Sequence, residues 1–344
     1  MSSNNGLIDA LTLRQIFVQR YSKGEAKRLL KHLRILSRQL KSTLESDYGK
    51  VRAVRLAERI AQITTTVLNE YGDDMIKGLK EFGEEEAEFV RQAILATTAA
   101  EAVSPGSLRQ IQASITKVPM KLISGQKTQT VTIEQAAKQF SKKRSKEISQ
   151  LIRDGSLLGK TTDELVKDIE NIVGAKVTQQ AESLVRTTTN HIGSQARSAT
   201  YAANDDVIIG EEFVATLDSR TSISCASLDG QVFDIGEGPM TPLHWGCRSL
   251  RVAKVNPKFD LGSSIVGERA SIDGPEAGNV TYGGFLKRQS DEVQIEVLGV
   301  RRAALFKSGK LSIRKFSDED TGKVYTLKRL RELNPLAFNS ASGA

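Results

Sequence analysis

Cys225, His244 and Cys247 are the residues whose types and spacing could do chemistry. They are the only two cysteines and one of three histidines in the 344-residue chain, set out as C-x18-H-x2-C. Soft thiolates and an imidazole are the donors that zinc takes in a tetrahedral site, and the H-x2-C step lets two of them converge from one turn. Three ligands leave a position for Asp218, Asp229 or Asp234, or for a water. A hydrogen-bonded structural knot and a disulfide account for the same residues, so all three readings stand at this level. The chain has no H-E-x-x-H, no paired carboxylates beside His244 and no nucleophile triad with His32 or His191, which argues against an enzyme. Trp245, the only tryptophan, reads as a packing plug over the Cys/His turn. Arg220 and Arg248 read as partners of Asp218 and Asp229, and His191 as an ordinary surface or interhelical residue.

The elements that must position this cluster are mostly helices. All seven prolines lie at or beyond Pro105, and Leu29, Leu33, Leu36, Leu40 and Leu44 repeat at three or four, so the first hundred residues read as helices over about 8–22, 24–46, 50–71 and 74–102. Residues 103–131, with Pro105, Gly106, Pro119 and Gly125, read as a linker or irregular crossing. Capping boxes at Thr132 and Gln135 and at Thr161 and Glu164 open two further helices, the second closing at Gly174, and 177–203 sustains another. "VIIGEEFVATL" from Val207 and "QVFDIG" from Gln231 are strand candidates. A Gly/Pro-rich stretch over about 256–284 reads as an arm or binding loop, followed by helix with Asp291 and Gln294 as caps. The fold class expected is α+β, predominantly α-helical, with a small β-containing Cys/His knot. Five segments follow: 1–104 basic long helices, 105–205 a second helical region, 206–256 the knot, 257–284 the arm, and 285–344 a helical tail.

Hydrophobic residues at 39% and charged residues at 26% suit a folded globular chain. No apolar run reaches the ~20 residues that cross a bilayer, so no membrane partner is expected. The opening "MSSNNGLIDALTLRQIFVQRYSKG" has no basic leader or apolar core of a signal peptide, and two cysteines are too few for a disulfide framework. Both point to synthesis in a cytoplasm. The net charge of +8 is concentrated between Arg14 and Arg59, and "GEEEAEF" at 83–89 reverses the sign. Lys27, Arg28, Lys31, Arg34, Arg38 and Lys41 are the candidate nucleic-acid contacts, with double-stranded DNA as ligand. The block lacks the interleaved aromatics of a single-strand binder. No helix-turn-helix, complete zinc finger or RNA-binding signature is present, which disfavours a DNA-binding regulatory protein.

"ATLDSRTSISCASLDGQVF" followed by "TPLHWGCRSL" resembles the core signature of the phage Mu F-like head morphogenesis family, the minor head proteins of tailed phages. That pattern runs D-x-R-T-C-x-x-C-x-x-L-D-G, a variable loop, then P-P-L-H-P-x-C-R-C. Asp218, Arg220, Thr221, Cys225, Leu228, Asp229, Gly230, Pro242, Leu243, His244, Cys247 and Arg248 match it. Ser222 and Ser249 stand where the family has cysteines, and Trp245 where it has proline. Upstream, Arg186, Thr187 and Arg197 resemble the family's R-T-E helix, with Thr188 replacing the acid. Downstream, Thr281, Tyr282, Leu286, Gln289, Leu298, Gly299, Arg302, Leu305 and Gly309 fit its tail segment, and Phe285 replaces a tryptophan. The resemblance covers roughly residues 177–330. It implies a structural virion component made in the host cytoplasm, in few copies, with portal and major capsid proteins as partners and no catalytic residues. In the family's fullest form the cysteines and histidine look like a zinc knuckle, so zinc is the metal implied. A metal-dependent nuclease is the alternative.

Overall fold

The computed structural model describes residues 5–98, 117–259, 268–269 and 271–339. Its largest part is a layered helical bundle. α1 (Asn5–Asp47) and α2 (Ala53–Thr97) are 43 and 45 residues long, each about 65 Å at 1.5 Å per residue. They run antiparallel: Tyr21 donates to the Gly78 carbonyl at 3.2 Å and His32 Nε2 lies 3.3 Å from Asp74. Four shorter helices were expected here, broken near Gly24 and Gly72. Both glycines instead lie inside continuous helices, because a mid-helix glycine costs only about 1 kcal/mol against alanine, less than the unbroken apolar stripe returns. At Gly72 the missing side chain also has a use, since a Cβ there would stand 3.3 Å from the Ala137 Cβ. The turn between the two helices carries Gly49 at φ 77°.

Residues 103–116 of the expected linker lie outside the described residues. The rest of it is ordered as a hairpin, β1 (Met120–Ser124) with β2 (Lys127–Val131), closed by Gly125 at φ 60° with Ser124 opposite Lys127. Alternation supplies the reason: Met120 and Leu122 are buried and Lys121 is exposed. The hairpin hangs on the knot, where the Ile123 N–H donates to the Leu243 carbonyl at 2.6 Å.

Both capping boxes form, Thr132 with Gln135 at the start of α3 (Ile133–Leu157) and Thr161 with Glu164 at the start of α4 (Thr162–Asn171). The chain does not stop at Gly174 as expected. It passes through a wider π turn (Ile172–Lys176) straight into α5 (Val177–Ala202). Buried Leu165, Ile169, Val173, Val177 and Ala181 recur every four residues, which in an α-helix walks the stripe round by about 40° per step. The wider turn absorbs part of that drift and keeps the stripe on the core.

A three-stranded antiparallel sheet, in the order β4 (Val232–Phe233), β3 (Ile208–Val214), β5 (Leu250–Val255), follows. Val207, Ile208, Val214, Val252 and Val255, in and beside it, share a buried core with Leu7 and Leu11 of α1, Val90 and Ile94 of α2, and Tyr201. Between β3 and β4 lies the short α6 (Ile223–Leu228). The stretch 256–284 contributes a two-residue ladder of β6 (Glu268–Arg269) with β7 (Glu276–Ala277). Then come α7 (Tyr282–Arg288), α8 (Asp291–Leu298), α9 (Val300–Lys307), α10 (Leu327–Leu333) and α11 (Pro335–Asn339). The cap of α8 is Ser290, whose Oγ accepts from the Val293 N–H, rather than Asp291; Gln294 donates to the Gln289 carbonyl. Tail residues Tyr282, Phe285, Leu286, Phe306 and Phe316 share one core with Cys225, Leu228, Leu243 and Cys247. The architecture is thus α+β and mostly helical, as expected. Among the described residues no helix is long and apolar enough to cross a membrane.

Two buried carboxylates tie these layers together. Glu86 of α2 accepts from Arg14 of α1 at 2.8 Å and from Arg197 of α5 at 2.5 Å, joining three helices. Glu211 of β3 meets Arg251 of β5 at 2.8 Å, both within 2% of full burial.

Candidate metal centre

The clasp is assembled from local turns. Ser222 caps α6, its Oγ accepting from the Cys225 N–H at 3.3 Å, which places the Cys225 side chain on the first turn. Asp229 and Gly230 (φ 73°) then reverse the chain, and the Gly230 N–H returns to the Phe213 carbonyl at 2.8 Å. On the far side of the loop, the Cys247 N–H donates to the His244 carbonyl at 3.1 Å, forming the H-x2-C turn. α5 grips that turn: Thr187 Oγ1 accepts from the Gly246 N–H at 2.8 Å, and Asn190 Nδ2 donates to the carbonyls of Cys247 and Ser249 at 3.1 and 3.0 Å. Thr187 was legible as part of the resemblance. The role of Asn190 was not, because nothing in its neighbours marks a contact 57 residues away.

Cys225 Sγ lies 3.4 Å from His244 Nε2 and 3.7 Å from Cys247 Sγ, and the three ligand atoms fall within 4.8 Å of one another. Both cysteines are free thiols, far beyond the ~2.05 Å of a disulfide. Tetrahedral zinc, with Zn–S near 2.3 Å and Zn–N near 2.0 Å, sets its sulfurs about 3.8 Å apart and sulfur and nitrogen about 3.5 Å apart. The spacing therefore fits one such ion, and the group could hold a metal. His244 Nδ1 is 3.0 Å from the Trp245 carbonyl; donating there leaves Nε2 free as the ligand atom.

The thiols share charge unequally. Hydrogen bonding to Cys247, with burial, pushes the Cys225 thiol well above its ordinary pKa, while the bond received from Cys225, with His244 beside it, holds Cys247 well below. Burial works against a charged His244, but the Cys247 sulfur outweighs it and raises the imidazole. The hydroxyls of Ser222 and Ser249, at the family's cysteine positions, act the other way on Cys225 and pull its pKa down, though by less than the rise. Two thiols and one imidazole thus occupy one small volume.

None of the three carboxylates expected as a fourth ligand joins the group. Asp218 is taken by both Nη atoms of Arg248, one at 2.6 Å, and by Arg220 at 3.5 Å. Asp229 accepts from the Ala215 and Tyr282 N–H groups at 2.7 and 2.6 Å and from Arg269 at 2.7 Å. Its partner is Arg269 from the expected arm, not Arg220 or Arg248. Asp234 is exposed, outside the group. Leu228 is buried in the knot core. Trp245 is not a plug: the Gly246 backbone (φ 73°) is pinned to α5, and the indole is left 37% exposed. His191, read as surface or interhelical, is 3% exposed, which excludes the first reading. It is buried against the Val118 carbonyl at 3.0 Å, and burial lowers its pKa to about 4.

The six candidate nucleic-acid contacts, Lys27, Arg28, Lys31, Arg34, Arg38 and Lys41, all lie exposed on α1. Arg28 pairs with Glu25 at 3.1 Å and Lys41 stands 3.9 Å from Glu45.

Residues 146–251 match the family model described as Phage Mu protein F like protein. The chain carries a phage Mu F-like segment. That segment runs from within α3 to the second residue of β5 and contains Thr187, Asn190, Cys225, His244 and Cys247. α1, α2, the hairpin and the tail lie outside it. The phage Mu F-like family points to a structural phage head protein rather than an enzyme. No curated protein and no solved structure matches the chain.

Proposed function

We propose that this chain is a minor head protein of a tailed bacteriophage, taken into the virion in few copies at the portal vertex, with portal and major capsid proteins as neighbours. One observation carries the reading: the phage Mu F-like segment coincides with the clasp and the helix that grips it. Around that clasp, the long helices meet the sheet in one core and the tail meets the knot in another. Such a joint gives two helical regions a set relative geometry, as an assembly part requires. Co-expression of the full chain with portal, scaffold and major capsid proteins tests it. Sedimentation with proheads is expected; recovery only as free protein rejects the assignment.

Within this reading α1 lies along packaged double-stranded DNA. Lys27, Lys31, Arg34, Arg38 and Lys41 follow one another by four, three, four and three residues, a single stripe about 21 Å long. Among the described residues no carboxylate pairs with Lys27, Lys31, Arg34 or Arg38, so their charge is available to phosphates. Five phosphate contacts give log K a slope near −4.5 against log salt. Charge reversal at Lys31, Arg34 and Arg38 is expected to flatten that slope by about 3; an unchanged slope rejects the stripe.

The three-ligand cluster also supports a second reading, a metal-dependent nuclease, because an unfilled fourth position is how catalytic zinc sites are arranged. Burial of both cysteines, 2% and 0% exposed, weighs against substrate access. Plasmid nicking with magnesium, manganese or zinc, lost on His244→Ala, would favour the nuclease over the head protein.

A further inference from the structure

Three guanidinium groups gather at the outer corner of the clasp. Arg248 is spent on Asp218 through both Nη atoms. Arg220 reaches the same carboxylate only at 3.5 Å, with its side chain 79% exposed. Arg186, on α5, has no hydrogen bond or ion pair among the described residues, and its Nε is buried without a partner. Its electrostatic neighbours are attractive Glu182 and repulsive Arg248 and Arg220. The Arg186 Nη1 stands 3.9 Å from where a Cβ would lie on Gly246, so the guanidinium sits against the turn whose preceding residue is the exposed Trp245. Positive charge with unspent planar donors selects an oxyanion, and the guanidinium fork matches phosphate oxygens in pairs. The indole of Trp245, one residue before Gly246 and 37% exposed, offers a stacking face, which an acidic peptide does not require and an unpaired base does.

We propose that Arg186, Arg220 and Trp245 form a binding site for single-stranded nucleic acid, the arginines holding the phosphodiester backbone and one unpaired base lying on the indole. The site is separate from the α1 stripe in residues and in ligand class. Single-strand binding joins a cationic track to aromatic platforms, and this corner is where the chain brings the two together.

Trp245 is the only tryptophan, so its emission reports on this corner alone. Titration of the full chain with oligothymidylate at low salt is expected to quench it saturably. Arg220→Ala, at an exposed position, should weaken the binding about tenfold, and Arg186→Lys, which keeps the charge and loses the fork, should weaken it several-fold. Charge reversal at Lys31, Arg34 and Arg38 should leave the quenching curve in place, which separates this site from the stripe. Absence of quenching, or an affinity unchanged in Arg220→Ala and Arg186→Lys, overturns the proposal. So does equal quenching by inorganic phosphate, which marks a free-anion site, by a duplex of the same length, or by polyglutamate, which marks a site for an acidic protein segment.

Discussion

Cys225 Sγ and Cys247 Sγ face each other at 3.7 Å across 22 residues of chain, as free thiols, with His244 Nε2 3.4 Å from the first. The separation suits two sulfurs on one tetrahedral ion and is far too long for a covalent bond.

Zinc uptake follows from that spacing. Elemental analysis of protein purified without chelator should give about one zinc per chain, and loading should release protons, since a thiol must ionise to bind. Cys225→Ser or Cys247→Ser should abolish uptake. A content below ~0.2 per chain after zinc incubation, against one for a filled site, would leave a hydrogen-bonded knot.

The hold of α5 on the clasp should appear in both stability and metal affinity. Asn190→Ala removes two donors from the Cys247 and Ser249 carbonyls, a loss of about 2 kcal/mol. Urea unfolding measures that loss, and a chelator competition should show zinc held more weakly. Unaltered values in both would mean the turn stands without α5.

Glu86 neutralises two arginines from different helices. Glu86→Ala should cost about 3–5 kcal/mol, because Arg197 would remain buried and unpaired. Replacing Glu86 and Arg197 together by methionine should recover much of it. Guanidinium unfolding of the three proteins checks this, and a single variant as stable as the parent refutes it.

Burial lowers the His191 pKa from 6.5 to about 4. The unfolded chain therefore binds a proton between those values that the folded chain refuses. Stability is fully kept above pH 6.5, falls as pH drops from 6.5 towards 4, and levels off below, by up to about 3 kcal/mol. His191→Gln, which keeps a donor for the Val118 carbonyl, should flatten this part of the curve. Identical pH profiles for both proteins would show that another group titrates.

Local signals were legible without coordinates. The leucine stripe from Leu29 to Leu44 and the Thr132 and Thr161 capping boxes each act within one or two turns of chain, and each formed. The same holds for β3, whose β-branched run needs no distant partner to be recognised. Spacing and chemistry also picked out Cys225, His244 and Cys247 before any fold was known. Where two local signals competed, the tertiary core decided. The expected helix bounds left breaks before residue 24 and after residue 71 and a stop at Gly174, yet helix continued through all three because the apolar face on either side had one surface to cover.

The amino-acid sequence by itself determined the helical character, the Thr132 and Thr161 capping boxes, the basic stripe and the candidate group of Cys225, His244 and Cys247, since each is read from residue types and short spacings along the chain. Only the tertiary structure decided that Glu86 would answer Arg14 and Arg197, 72 and 111 residues away, and that Asp229 would be held by Arg269 and so kept out of the Cys225, His244 and Cys247 group. It also decided that Trp245 would face outward. A buried charge takes whichever opposite charge the packing brings within hydrogen-bond reach, and no spacing along the chain encodes that choice.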